Sequence, residues 1–166
     1  MKKLCLVMAF LVCSFWMVGG AFAATDSKVL TVNATVSARA TLTLGVAAIN
    51  FPDSDPTAVP SISATENPVS VTAKVRTGAA STATLTCIAG GALISGTDTI
   101  AISNVTWTAG GNGFVGGTMS STLAQSAGSW TGSGNNSSTF SYSLANSWSY
   151  AIGSYSQTVT YTLTAP

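Results

Sequence analysis

Histidine is absent from this 166-residue chain, and charged residues make up only 7% of it. The chain therefore lacks the commonest proton shuttle and the commonest metal ligand. Six Lys and Arg against five Asp and Glu, all scattered, give no electrostatic footprint for nucleic acid or an anionic membrane surface. There is no P-loop, no dinucleotide-binding glycine fingerprint and no Cys/His zinc spacing. Serines are plentiful, but none has a histidine to activate it. No catalytic residue, cofactor or metal is expected, and the chain reads as a non-enzyme. One acidic pair, Asp53 and Asp55 in the run Phe51 to Pro56, has the oxygen ligands that calcium takes. Between prolines, it reads better as a solvated turn.

Long apolar runs are as scarce as charge. The one example, Leu4 to Val18, follows Met1-Lys2-Lys3 and precedes Gly19, Gly20, Ala21 and Ala23. That layout is a cleaved secretory signal over residues 1–23, with Ala21-Phe22-Ala23 as the small-x-small cleavage pattern. The run is shorter than the roughly 20 residues that cross a bilayer comfortably, and no later stretch spans a membrane. Cys5 and Cys13 leave with the signal, so Cys87 has no partner for an internal disulfide. Its phase with Ala83 and Leu85 marks it as a buried, small apolar side chain. The remaining cations are Lys28, Arg39, Lys74 and Arg76, against Asp26, Asp53, Asp55, Glu66 and Asp98.

What the chain does have is alternation. Leu30, Val32, Ala34, Val36 and Ala38 alternate with Thr31, Asn33, Thr35 and Ser37. The same beat recurs over Val69–Arg76, Thr82–Cys87 and Thr158–Thr164, and across Ile100 to Trp107 with a kink near Asn104. A period of two is the signature of strands with one buried face, and threonine suits the solvated face. Leu42 and Leu44, and then Ile49 and Phe51, continue the apolar beat more briefly. Prolines 52, 56, 60 and 68 make residues 52–68 loop-rich, and glycines punctuate the rest. Residues 110–138 predict short edge strands with mobile turns around Phe114, Met119, Leu123 and Trp130. The expected architecture is all-β, an antiparallel immunoglobulin-like β-sandwich after a cleaved signal peptide. Its parts are a signal over 1–23, an N-terminal strand over 24–38 and a sandwich domain over 39–166.

Two kinds of site follow. Trp107 is in phase with Val105 and points to the core. Trp130, Trp148 and Tyr150 form a sugar-stacking platform if they face solvent together, because their rings pair a flat apolar face with a polar edge. Core or interface packing is the favoured reading of these rings, and Trp148 and Tyr150, in phase with each other, suit the anchoring of a strand pair. A secreted carbohydrate-binding module is the alternative function on that basis.

The order of these segments resembles fimbrial subunits of the chaperone–usher pathway. The alternating Leu30–Ala38 comes first, then a proline-rich passage, Val69–Thr77, a strand ending near Cys87, Ile100–Trp107, and the closing run Gly153–Thr164. The likeness is to the disulfide-free, colonisation-factor class, and the closing strand is similar to those of spore-coat-U-type secreted pilins. The resemblance implies a cell-surface structural or adhesive protein, secreted through the periplasm into an extracellular fibre. Its partners would be copies of itself or related subunits, with a periplasmic chaperone and an outer-membrane usher. In such subunits a neighbour's N-terminal extension fills an apolar groove by strand addition. Leu30, Val32, Ala34 and Val36 are then the inserted side chains. The other reading makes the same residues an ordinary edge or core strand of their own domain.

Overall fold

A computed structural model describes residues 23–166, so the expected signal, with Cys5 and Cys13, lies outside the described residues except for Ala23. The chain divides into two units, Met1–Ala34 and Thr35–Pro166. In the first, residues 23–34 carry no sheet or helix and are exposed throughout. The expected N-terminal strand over 24–38 has no strand partner here: β structure begins at Arg39.

The second unit is all-β. Its strands are β1 (Arg39–Leu44), β2 (Ser61–Ser63), β3 (Val69–Arg76), β4 (Thr82–Ala89), β5 (Leu93–Ser95), β6 (Asp98–Ile100), β7 (Val105–Ala109), β8 (Gly117–Thr118), β9 (Gln125–Thr131), β10 (Gly134–Ala145) and β11 (Val159–Thr164). One sheet has the order β1-β3-β10-β7-β8, with β2 also paired to β10; the second has the order β11-β4-β9. All the pairings are antiparallel. Both sheets contribute to one apolar core, an arrangement consistent with a β-sandwich.

Alternation produced the strands where it was clean. β3 buries Val69, Val71, Ala73 and Val75 and exposes Ser70, Lys74 and Arg76. β4 buries Ala83, Leu85, Cys87 and Ala89. The expected kink near Asn104 is a 3₁₀ turn over Ile102–Asn104, which separates β6 from β7. β7 then buries Trp107, whose indole N–H donates to the Val115 carbonyl at 2.9 Å. Ile49 and Phe51 pack against the core from a loop, not a strand.

The centre of the larger sheet is β10, twelve residues long. Phe140 is its hub, with no exposed surface. It meets Phe114 and Tyr142 edge to face and stacks on Tyr161 of β11, at centroid separations of 5.8, 6.3 and 6.0 Å. Asn67 extends the pairing of β10 with a side chain: its Nδ2 donates to the Tyr142 carbonyl and its Oδ1 accepts from the Tyr142 N–H.

Strand direction gives the unit two ends. The Arg76 end holds Arg39, Gly134, Thr82 and Thr131, because β1 and β10 run antiparallel to β3 and a short turn leads from Arg76 into β4. The opposite, Val69 end holds Leu44, Ala145, Ala89 and Val159.

Candidate functional site

The two long seams between the sheets differ. On one side the segment leading into β8 approaches β9 closely enough for backbone bonds to cross. Val115 N donates to Ala127 O at 3.1 Å, Ser129 N donates to Gly113 O at 2.9 Å, and Phe114 bridges Gly128. That seam is closed.

On the other side the edge strands are β1 and β11. Their Cα atoms come within 8 Å of each other, yet no ladder joins them among the described residues. Each has a full set of backbone bonds on one side only, so the N–H and C=O groups of the facing edges lack strand partners. Such groups are a template for another strand. The inward side chains tell the same story. Leu42 and Leu44 of β1, and Val159, Tyr161 and Leu163 of β11, touch the core but are only half-buried. Their counterparts on β3, β4 and β10 are covered. The result is a half-covered apolar seam with unpaired backbone on both edges.

The core beside β11 includes a polar chain. The Tyr142 and Tyr161 hydroxyls lie 3.0 Å apart, and the Cys87 thiol sits beside Tyr161. Burial pushes the thiol up to about 11, although the bond to Tyr161 opposes the shift. Burial raises both tyrosines as well. All three stay neutral at ordinary pH, so Cys87 is a packed side chain and not a reactive thiolate. It is the free, buried cysteine that alternation predicted.

The N-terminal residues complement this seam in kind. Leu30, Val32 and Val36 are 85%, 83% and 69% exposed. Ala34 is exposed in the same phase, and in an extended strand Thr31, Asn33 and Thr35 would fall on the other face. Three large apolar side chains in water, two residues apart or a multiple of it, form an unpartnered strand face.

The aromatic candidates are not brought together. Trp130 sits near the Arg76 end, edge to face with Phe114 at 4.7 Å, and its indole N–H donates to Asn112 O at 2.7 Å. Its ring covers Gly128 so closely that a Cβ there would fall 2.6 Å from the ring edge. Trp148 is 73% exposed in the loop after β10, at the Val69 end, where its indole N–H meets Thr57 Oγ1 at 3.1 Å. Tyr150, in the same loop, donates its hydroxyl to Ala145 O. Trp148 and Tyr150 anchor no strand pair, because residues 146–158 form no named strand.

The acids are placed by turns and clamps. Asp55 Oδ1 accepts from Thr57 N at 2.8 Å, the solvated turn expected there. No group of three His, Cys, Asp or Glu converges as a metal site among the described residues. Glu66 accepts from both the backbone N–H and the side-chain amide of Asn50, each at 2.7 Å. Those two bonds, the side-chain one first, lower its pKa to about 2. A carboxyl depressed in the folded state stabilises above its unfolded pKa, and that contribution is lost as pH falls. Thermal melts should therefore show a loss between about pH 4.5 and pH 2 that is smaller in Glu66→Gln; parallel curves for the two proteins would refute the clamp.

A shallow depression lined by Ile102, Met119, Thr122 and Gln125, among others, contains no ionisable side chain. No helix among the described residues is long and apolar enough to cross a membrane. Comparison with protein-family models, with curated proteins and with solved structures finds no match to this chain.

Proposed function

We propose that the chain is an exported bacterial surface-fibre subunit, an immunoglobulin-like sandwich short of one strand. It assembles by accepting the N-terminal segment of a second copy between β1 and β11. The observation that carries this reading is the pairing of two deficits in one chain. The seam has apolar walls and unpaired edges, and the extension has an alternating apolar face in water. Inserting the segment would remove both. Burial of each larger side chain would contribute roughly 1.5–3 kcal/mol, before the cost of ordering the segment.

Chain connectivity argues for a second copy. Only Ser37 and Ala38 separate Val36 from β1. Pairing antiparallel to β1 would need a two-residue reversal, which favours glycine or asparagine at positive φ. Pairing parallel to β1 would need a crossover of a dozen or more residues. Neither fits a Ser-Ala link. A strand placed between two others also needs them about 9.6 Å apart, so β1 and β11 must part slightly on insertion. A periplasmic chaperone and an outer-membrane usher belong to the same reading, as the means of holding the seam open before assembly.

The test uses processed protein, residues 24–166, concentrated and analysed by size exclusion and by unheated detergent gels. Ladders that persist in mild denaturant and vanish on deletion of residues 24–37 are expected. Monomers at all concentrations, or ladders indifferent to the deletion, would reject the assignment.

A further inference from the structure

The register of the strands separates the charged side chains of residues 35–166 completely. Arg39 lies directly opposite Arg76, and Lys74 is two residues along β3 on the same exposed face. All three cations are thus at the Arg76 end. The four acids are at the other. Glu66 is clamped to Asn50 just before β3, and Asp53 and Asp55 flank Ser54, whose carbonyl accepts from Asn146 beyond the end of β10. Asp98 lies in the β5–β6 hairpin, which continues past Ala89 and Val159 through the bridge of Ile94 to Ser156. β3 alone, at eight residues, puts about 25 Å between the two groups. That is beyond the Debye length of roughly 10 Å at 0.1 M salt, so neither group neutralises the other within a copy.

The cationic end is also under strain. Like charges directly opposite on neighbouring strands are unfavourable. Here no carboxylate side chain relieves them: the one ion pair among the described residues is Lys28 with Asp26, and the Pro166 oxygen nearby is engaged by the Thr77 hydroxyl. Arg76 donates its Nε to the Ser37 carbonyl, a neutral acceptor.

We propose that successive copies are held in register by these ends, the Arg39–Lys74–Arg76 face of one copy docking on the Asp53–Asp55–Glu66 face of the next. The inference rests on the strand-addition reading, and the geometry joins the two. The extension leaves its own domain at Arg39, on the cationic face. Laid in a neighbour's seam antiparallel to β11, it emerges at that neighbour's Val69 end, on the acidic face. Laid the other way, it would bring two cationic faces together. Opposite ends that attract give an open head-to-tail chain and not a closed pair, with complementarity steering encounter and penalising the wrong direction.

The test reverses each face in the processed protein, with Lys74→Glu/Arg76→Glu in one variant and Asp53→Lys/Asp55→Lys in another. All four side chains are exposed, so both variants should fold, which circular dichroism would verify. At about 20 mM salt each variant alone should assemble at least tenfold more slowly than the parent protein. An equal mixture of the two should recover the parental rate, because each presents to the other the charge it lacks itself. In 0.5 M salt the differences should vanish. Assembly that needs residues 24–37 but ignores both reversals, or a mixture no faster than its components, would overturn the charge-docking inference alone. Assembly indifferent to residues 24–37 would instead sink the strand-addition reading beneath it.

Discussion

Replacing Leu30, Val32 and Val36 together by aspartate should abolish assembly while leaving the melting temperature of the monomer within about 3 °C of the parent. The two halves of that result have different causes. The three side chains are exposed in the isolated chain, and substitutions at such positions usually change stability by less than about 0.5 kcal/mol. In the proposed assembly the same three are buried between β1 and β11, where an unpaired carboxylate would face Leu42, Leu163 and Tyr161 and pay heavily for its desolvation. Serine at Thr31 and Thr35, on the opposite face of the extension, should leave both properties unchanged. The informative failure is a large drop in melting temperature for the aspartate variant. It would place Leu30, Val32 and Val36 in their own domain's core and remove the donor segment from the account.

Phe140→Ala should be the most damaging single truncation, costing about 3–5 kcal/mol and lowering the melting temperature by roughly 10–20 °C. Phe140 has no exposed surface and sits among Phe114, Tyr142 and Tyr161, side chains from both sheets and from a loop. Rigid strand backbones surround it, so the cavity cannot collapse, and the stacked face of Tyr161 is left without its partner. Phe140→Leu keeps most of the volume and should cost clearly less. Denaturant melts of the two variants measure the difference. Equal, small losses would mean that Phe140 is not the joint between the sheets.

The strand that carries Phe140 is also the one that the pattern of residues hid. β10 begins Gly134-Asn-Asn-Ser-Ser, a run that reads as a loop. Its inward positions there are Asn136 and Ser138, and the Asn136 amide nitrogen and Ser138 hydroxyl are buried without a partner among the described residues. Polar residues on the inner face erase the period-two signal for half the strand. The later alternation of Phe140, Tyr142 and Leu144 was the clue available. β2 was missed for a related reason: three residues between Pro60 and Pro68 are too few for periodicity, and Ile62 alone is buried.

Residues 24–38 failed in the opposite direction. Their alternation is among the cleanest in the chain, yet they form no strand. Alternation states that one face of a segment suits a dry environment; it does not state whose. A lone strand has no backbone partners, and the Ser37-Ala38 link cannot turn it back onto β1. The aromatic residues show a similar limit. Phase correctly buried Trp107, but Trp130 and Trp148 lie at opposite ends of the unit, a separation that only strand direction decides.

The sequence by itself determined the all-β class, β3, β4 and β11, the break near Asn104, and the burial of Cys87 and Trp107. Each of these depends on residues close together in the chain, where the two-residue pleat converts apolar spacing directly into facing. Tertiary structure alone decided which strands became edges, which seam closed, and the gathering of cations at one end and acids at the other. Those properties depend on the order and direction of strands far apart in sequence, and no local period encodes them.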